Sequence, residues 1–543
     1  MRDHINKSNS DGSGTSSNSQ LSIINVTARS LYNRLNGKLI APSNDLIQDF
    51  TQSFSNSLKV LILGARVQFT GNQLIEFNDF KIPSTVETLY IGEYFDLKLV
   101  SGMIPDSVTE LTLSYDFVYD GLQLKDITPK SLLSLTFPSF CRYKLQMGDL
   151  NEPLQTLDLG MDYVKNVEFL PGLLPSSLKY LNVGTNFGGI LNDGSLPEGL
   201  ETFILPSTKG GTNELPKLPI SLKHLKYQLY PSKVKFCLNP TPCLISLEIL
   251  SQFIYFSEFG YLPNTLKKLV LPGFNSKIEC GMLPDSIEEL KLHKFNQRIE
   301  PNTLPKNLKK FELWSFNHEL STGSLPAGLE TLVLDNAFNQ RLYQSNFPST
   351  LKFLKFGSNY KVNIEPYTLP ISLDTLEMST YQILSKFEIS HCCNLTTLKA
   401  TTPLSTFIIN GSLPKSLKTL HTNNLSLDAL ESGQLEGLET LIIYSSITSR
   451  NNQRDFTIEP NCFPSTLQYL QVGLDFDAIF SNNSSLPKSL RIFKLNYKYN
   501  KKLPKNLLPP SLLQLCITPQ QKDTILGICK IPLYCTIIHL GSL

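Results

Sequence analysis

One short phrase recurs in register through most of this chain. Leu174-Pro175-Ser176-Ser177-Leu178-Lys179-Tyr180-Leu181 is echoed by Leu196-Pro197-Glu198-Gly199-Leu200-Glu201-Thr202-Phe203 and by Leu413-Pro414-Lys415-Ser416-Leu417-Lys418-Thr419-Leu420. With the proline as anchor, 22 such positions run from Ser55 to Pro532. Their mean spacing is about 22.7 residues, inside the span of roughly 20–29 used by leucine-rich repeats. A unit this short cannot bury its own leucines, so neighbours must stack to make a continuous core. The length of 543 residues therefore does not imply several globular domains.

The end of each phrase alternates apolar and polar residues, the period of a short strand with one buried face. The preceding proline has no N–H to give a sheet, so it belongs to the incoming turn. The remaining dozen or so residues carry glycine and proline too often for a regular helix, as in Ile299-Glu300-Pro301-Asn302. The expected fold class is a repeat solenoid, leucine-rich-repeat-like and mostly β, with parallel in-register short strands and irregular convex arcs. A second signature follows the strand: Phe274-Asn275, Phe295-Asn296, Phe316-Asn317 and Phe338-Asn339. The phenylalanines are expected to stack inward, one per unit. The asparagine amides suit backbone groups that an irregular arc leaves unpaired.

The Leu-Pro-x-Ser-Leu-Lys phrase followed by Phe-Asn and Ile resembles the FNIP repeat, over roughly residues 55–540. That resemblance implies a curved, leucine-rich-repeat-like scaffold taken to mediate protein interaction. Some relatives carry an F-box or a kinase domain. This chain shows no Gly-rich loop with a lysine and no HRD or DFG. The family's proline after Phe-Asn-x is replaced, for example by Arg298 and Arg341.

One position near the start of each strand alternates in sign. The residues assigned to it are Lys179, Glu201, Lys223, Glu248, Lys267, Glu288, Lys309, Glu330, Lys352 and Asp374; Thr396 interrupts, then Lys418 and Glu439 resume. Parallel stacking sets these side by side, so alternation attracts where equal charges would repel. Such a structural charge ladder leaves no field for a ligand of one sign. It also sits well with a net charge of +2 from 49 basic and 47 acidic residues, a balance that argues against nucleic acid as partner. Thr331, Phe353, Thr375, Thr397, Thr419 and Thr440 form a neutral row beside it. A threonine row suits strand packing, and it is also the candidate binding face.

No catalytic, cofactor-binding or metal residues are expected, and no cofactor. The chain has no GxGxxG opening a helix, no phosphate loop, no HExxH and no GxSxG. In His391-Cys392-Cys393 the adjacent cysteines point to opposite faces, which disfavours a shared zinc ion. His224, His293 and His421 fall at different offsets and read as surface residues. No run of about 18 apolar residues predicts a membrane helix. The opening residues lack a signal-peptide core, and the ten scattered cysteines read as free thiols, so a cytoplasmic location is expected.

Three regions follow: a Ser/Asn/Gly-rich disordered tail at 1–20, an N-terminal cap at 21–54 without a repeat and with some helix in one reading, and the solenoid of about 22 units at 55–543. Ser445 to Asn452 reads as a polar loop insertion. The apolar run Thr536-Ile537-Ile538-His539-Leu540 makes an edge through which a homodimer could form. The leading expectation for function is a non-catalytic protein-interaction scaffold using the strand face, with an unknown protein partner. The alternative is a ubiquitin-ligase substrate adaptor with a degenerate F-box-like segment at 21–54.

Overall fold

The structure is a computed structural model that describes residues 23–27, 59–64, 82–91, 99–113, 123–141, 143–163, 167–185, 187–205, 216–228, 241–250, 262–379, 387–401, 404–448, 456–481, 485–527 and 529–539. It divides into two units, residues 1–222 and 223–543. Each is a leucine-rich-repeat-like solenoid of short parallel strands with little helix. The 1–20 tail, and the 21–54 segment apart from residues 23–27, lie outside the described residues.

Each of the 22 anchors is followed by a strand. In the first unit the strands run from Val60–Gly64 to Thr202–Leu205, and in the second from His224–Tyr227 to Thr536–His539. The segment assigned to the cap holds a further strand, Ile23–Thr27, paired in parallel with Val60–Gly64. The repeat signature was invisible there because Ile23–Thr27 has no leucine-proline phrase before it.

The phrase owes its shape to four hydrogen bonds. The anchor carbonyl accepts from the amide three residues on, as in Leu200 N–H to Pro197 O at 3.0 Å and Leu266 N–H to Pro263 O at 3.0 Å, which closes a tight turn. The next two amides then reach one carbonyl of the unit before: Glu288 and Glu289 both donate to Lys267 O, at 2.8 and 3.0 Å. The serine or threonine between anchor and leucine donates across the same step. Ser286 Oγ reaches Leu266 O, Ser372 Oγ reaches Leu351 O and Ser416 Oγ reaches Leu395 O, each at 2.8 Å. This explains why the motif tolerates serine and threonine at that place.

Behind the strands sits the core. Leu266, Leu269, Leu290, Leu308 and Phe311 are fully buried. Beneath the strands' outgoing ends, the rings of Phe274, Phe295, Phe316 and Phe338 stack at 6.0, 6.3 and 6.1 Å between centroids, within 8° of parallel, and Tyr360 continues the column at 6.0 Å. The asparagines beside them form a second column. Asn275 Oδ1 accepts from Asn296 N–H at 2.7 Å, Asn296 Oδ1 from Asn317 N–H at 2.9 Å, Asn317 Oδ1 from Asn339 N–H at 2.9 Å, and Asn339 Oδ1 from Lys361 N–H at 2.8 Å. Each amide thus ties one arc to the next.

The arcs are mostly turns, but not all. Short helices occur at Leu124–Ile127, Ser405–Ile409, Leu427–Glu431 and Pro519–Leu526. Two of them have a packing cause. At the inward position occupied by Phe356 and Met378, the next two units carry the small Ala400 and Thr422. On the arc side of these units the helices Ser405–Ile409 and Leu427–Glu431 pack against each other and against the strand Thr419–Ser426, burying Phe407, Ile408, Leu427 and Leu430. The strands here are also longer. Thr419–Ser426 pairs with Thr440–Thr448 through a bulge between Thr422 and Asn424. Ser445 to Thr448 therefore belong to a strand rather than to a loop, and the rest of that insertion lies outside the described residues.

Candidate functional site

Strand register sorts the outward residues into rows. Within 223–543, the first row runs through Lys267, Glu288, Lys309, Glu330, Lys352 and Asp374. Lys267 and Lys309 both hold Glu288 at 2.8 Å, Lys352 holds Glu330 at 3.4 Å and Lys418 holds Glu439 at 3.2 Å. The place between Lys223 and Lys267 belongs to Ile245, whose amide donates to Lys223 O and whose carbonyl accepts from Lys267 N–H. Glu248 is three residues further on, paired in register with Lys226 and Val270. The sequence assignment failed there because Leu244 and Leu247 offer two leucines from which to count.

Glu248 instead follows Lys226 in a third row, bridged to it at 3.2 Å and diagonally to Lys268 at 2.6 Å. Partial burial pushes its carboxyl upward, and the two ammonium groups more than offset this, leaving it below the usual range. The third row continues through Val270, Lys291, Glu312, Val333, Lys355, Glu377, Lys399 and His421. Lys291 bridges Glu312 at 3.1 Å and Lys399 bridges Glu377 at 2.7 Å.

Between these rows lies the neutral one. Register brings Thr331, Phe353, Thr375, Thr397, Thr419 and Thr440 side by side, all half-buried. Upstream, the same row carries Lys268, Glu289 and Lys310. Charge is therefore lost at Thr331 and Phe353 in one row and at Val333 in the next. At that break lies an open depression of about 430 Å³, lined by Lys310, Glu312, Thr331, Val333, Phe353 and Lys355.

Beside it stands the chain's single tryptophan. The ring of Trp314 stacks on His293 at 3.8 Å, 9° from parallel, and its indole N–H donates to Glu312 at 2.8 Å. His293 is thus half-buried rather than a free surface ring. Burial holds its imidazole below the usual pKa, against the pull of nearby Glu312. His421, in the third row, meets the Tyr444 hydroxyl at 3.0 Å, and His224 is exposed. His391 Nε2 lies 2.9 Å from the Leu369 carbonyl, Cys392 is buried and Cys393 is exposed. Among the described residues no three His, Cys, Asp or Glu side chains are grouped to hold a metal ion, and no helix is long and apolar enough to cross a membrane. The Trp314–His293 pair escaped sequence reading because it joins residues 21 apart at the strand's exit, and only register reveals them as neighbours.

The ladder is expected to make a modest contribution to stability. Exposed pairs are worth about 0.2–1 kcal/mol each. Lys309→Glu, which sets Glu288, residue 309 and Glu330 alike in sign, is expected to lower the melting temperature by only a few degrees in a thermal melt. The difference should shrink in 1 M salt, where the screening length is about 3 Å. The hydrogen bonds from Lys267 and Lys309 push the Glu288 carboxyl down to about 2. Because this pKa is depressed from an unfolded value of about 4.3, its stabilisation is complete above that pH and is lost as pH falls toward 2.

Five segments, residues 72–116, 166–208, 257–294, 295–336 and 338–381, match the FNIP repeat. This is an FNIP-repeat protein. The FNIP chain is also similar to solved leucine-rich-repeat structures. A circular leucine-rich-repeat protein, CroV588, shares 25% identity at a TM-score of 0.60, over 89% of this chain and 73% of that one. TLR13, solved in complex with ssRNA13, shares 16% identity at a TM-score of 0.51, over 86% of this chain and 82% of that one, a likeness of fold alone. A search of curated proteins returns no match.

Proposed function

We propose that this FNIP-repeat protein is a non-catalytic protein-interaction scaffold, and that residues 223–543 bind through the strand face at Thr331, Val333 and Phe353. The observation that carries this is the break in the charge rows. From Lys267 to Lys310 the face carries lysine–carboxylate pairs, Lys267 and Lys309 on Glu288, Lys291 on Glu312 and Lys310 on Glu289. At Thr331, Val333 and Phe353 the pairing lapses, the largely buried Val333 and half-buried Phe353 give the depression an apolar floor, and an aromatic pair stands at the margin. Apolar and aromatic groups with a polar rim are what protein interfaces place at their centres. The threonine row extends the neutral surface along the next units.

The test is affinity capture from the source cell with the wild-type chain and with Phe353→Glu, checked for folding by circular dichroism. The expected result is a partner set retained by wild type and lost from the variant. An identical partner set from both would refute the reading. A third capture, without residues 1–54, separates it from the ligase adaptor, whose ligase components would depend on those residues. A cytoplasmic setting fits the exposed free thiols of Cys243, Cys280 and Cys393, which a reducing compartment preserves.

The strand Thr536–His539 is the proposed route to a homodimer. It pairs with Gln514–Ile517 on one side, and Leu533 and Tyr534 beside it are 89% and 79% exposed. Deleting residues 532–543 is expected to convert a dimer to a monomer in analytical ultracentrifugation, and an unchanged sedimentation coefficient would sink this idea.

A further inference from the structure

We propose that the depression over Val333 takes an acidic peptide segment, with one apolar side chain seated on Val333 and Phe353 and a neighbouring carboxylate bound by Lys310. This deepens the strand-face reading and rests on it.

The row holding Lys310 reads Lys268, Glu289, Lys310, Thr331, Phe353 in register. In the adjoining row an acid sits between two lysines, with Glu288 held at 2.8 Å by each. Continued alternation would put an acid at 331 and so give Lys310 a carboxylate on both sides. Thr331 stands there instead. Among the described residues Lys310 keeps only Glu289, at 3.6 Å, looser than the 2.6–3.4 Å of the other lysine pairs described on this face. Its side chain is 43% exposed, so the ammonium can reach an incoming group.

The other charges around the depression are already met. Lys355 is held by Asp335 at 3.1 Å, and Glu312 accepts from the Trp314 indole at 2.8 Å and from Lys291 at 3.1 Å. Partial burial raises the Glu312 carboxyl, and these two donors more than offset that. The one under-coordinated ion at the rim is thus a cation, and the floor beside it is apolar. A carboxylate delivered from outside completes the interrupted row, while the adjacent apolar side chain covers Val333 and Phe353.

Selection of random peptides displayed against the full chain, followed by fluorescence titration, tests this. Trp314 is the chain's one tryptophan and is bonded to a residue that lines the depression, so its emission reports occupancy. Selected peptides are expected to carry Asp or Glu within two residues of a large apolar side chain, and the corresponding Asn or Gln peptides to bind more weakly. Thr331→Glu supplies the missing carboxylate from the chain itself. It is expected to keep or raise the melting temperature and to weaken binding by about tenfold. Thr331→Ser should bind as wild type does. If acid-to-amide changes in the peptide have no effect but Phe353→Glu abolishes binding, the acidic preference is wrong and the strand-face reading stands. If no peptide is selected, or if neither Thr331→Glu nor Phe353→Glu weakens binding, both fail.

Discussion

Replacing Phe316 with alanine is expected to cost about 3–5 kcal/mol, the range for emptying a fully buried aromatic site. The ring is completely buried and lies between Phe295 at 6.3 Å and Phe338 at 6.1 Å, nearly parallel to both. Cavities are cheapest where the surroundings can collapse into them. Here collapse is opposed from both sides, since the strand Lys310–Leu313 is paired to each neighbour and Asn317 links the arc to Asn296 and Asn339. In a repeat array the loss should be felt first by neighbouring units. Hydrogen exchange is expected to accelerate at Glu289–Leu292, Lys310–Leu313 and Thr331–Leu334 before it does at the far strands. Phe316→Leu, which keeps much of the volume, should cost less than half as much in a guanidinium titration. Equal losses for the two variants would mean that the column is not what holds these units together.

Gly184→Ala is expected to be among the most damaging single-methyl changes in residues 1–222, on the order of 3 kcal/mol, because it combines a backbone penalty with a steric one. Gly184 has φ of 85°, and a Cβ built on it would lie 2.1 Å from the Gly160 carbonyl oxygen. Gly160, one unit earlier, has φ of 78° and would clash in turn with Pro138 O at 1.9 Å. The two glycines end the same local turn. Asp158 Oδ1 accepts from Gly160 N–H at 2.9 Å, Asn182 Oδ1 accepts from Gly184 N–H at 3.1 Å, and the Asn182 amide donates to Asp158 across the step at 3.1 Å. Backbone approaches backbone here, so no side chain can rotate away to make room. Gly199→Ala is the control: its Cβ would come no closer than 3.2 Å to Ser176 O, and its φ is not left-handed. A chemical melt that ranks the two equally would contradict this reading.

The contrast between these sites shows what a one-dimensional repeat makes legible. Strand, turn and inward leucine were readable because one unit repeats them and each has a local cause. The phenylalanine column was readable for the same reason, since Phe-Asn recurs in step. The serine-to-carbonyl bonds and the Gly184 contact were not, because their partners lie in the preceding unit and only close packing creates them. The candidate site sat between these cases. The threonine row could be assembled by counting from the anchors. The break in charge at Val333 required the exact strand register that the Leu244–Leu247 ambiguity had blurred one unit at Glu248. Trp314 and His293 met only after the strands were laid side by side. The helices at Ser405–Ile409 and Leu427–Glu431 answered to the small Ala400 and Thr422 inside, a volume deficit that the hydrophobic pattern does not encode.

Binding is expected where the charge rows of the strand face lapse. Hydrogen–deuterium exchange of the wild-type chain, with and without a partner recovered by capture, addresses it most directly. The expected result is slowed exchange at Thr331–Leu334 and Phe353–Phe356, with the asparagine-linked arcs from Asn275 to Asn339 unchanged. Protection of those arcs, with the two strands unaffected, would contradict it.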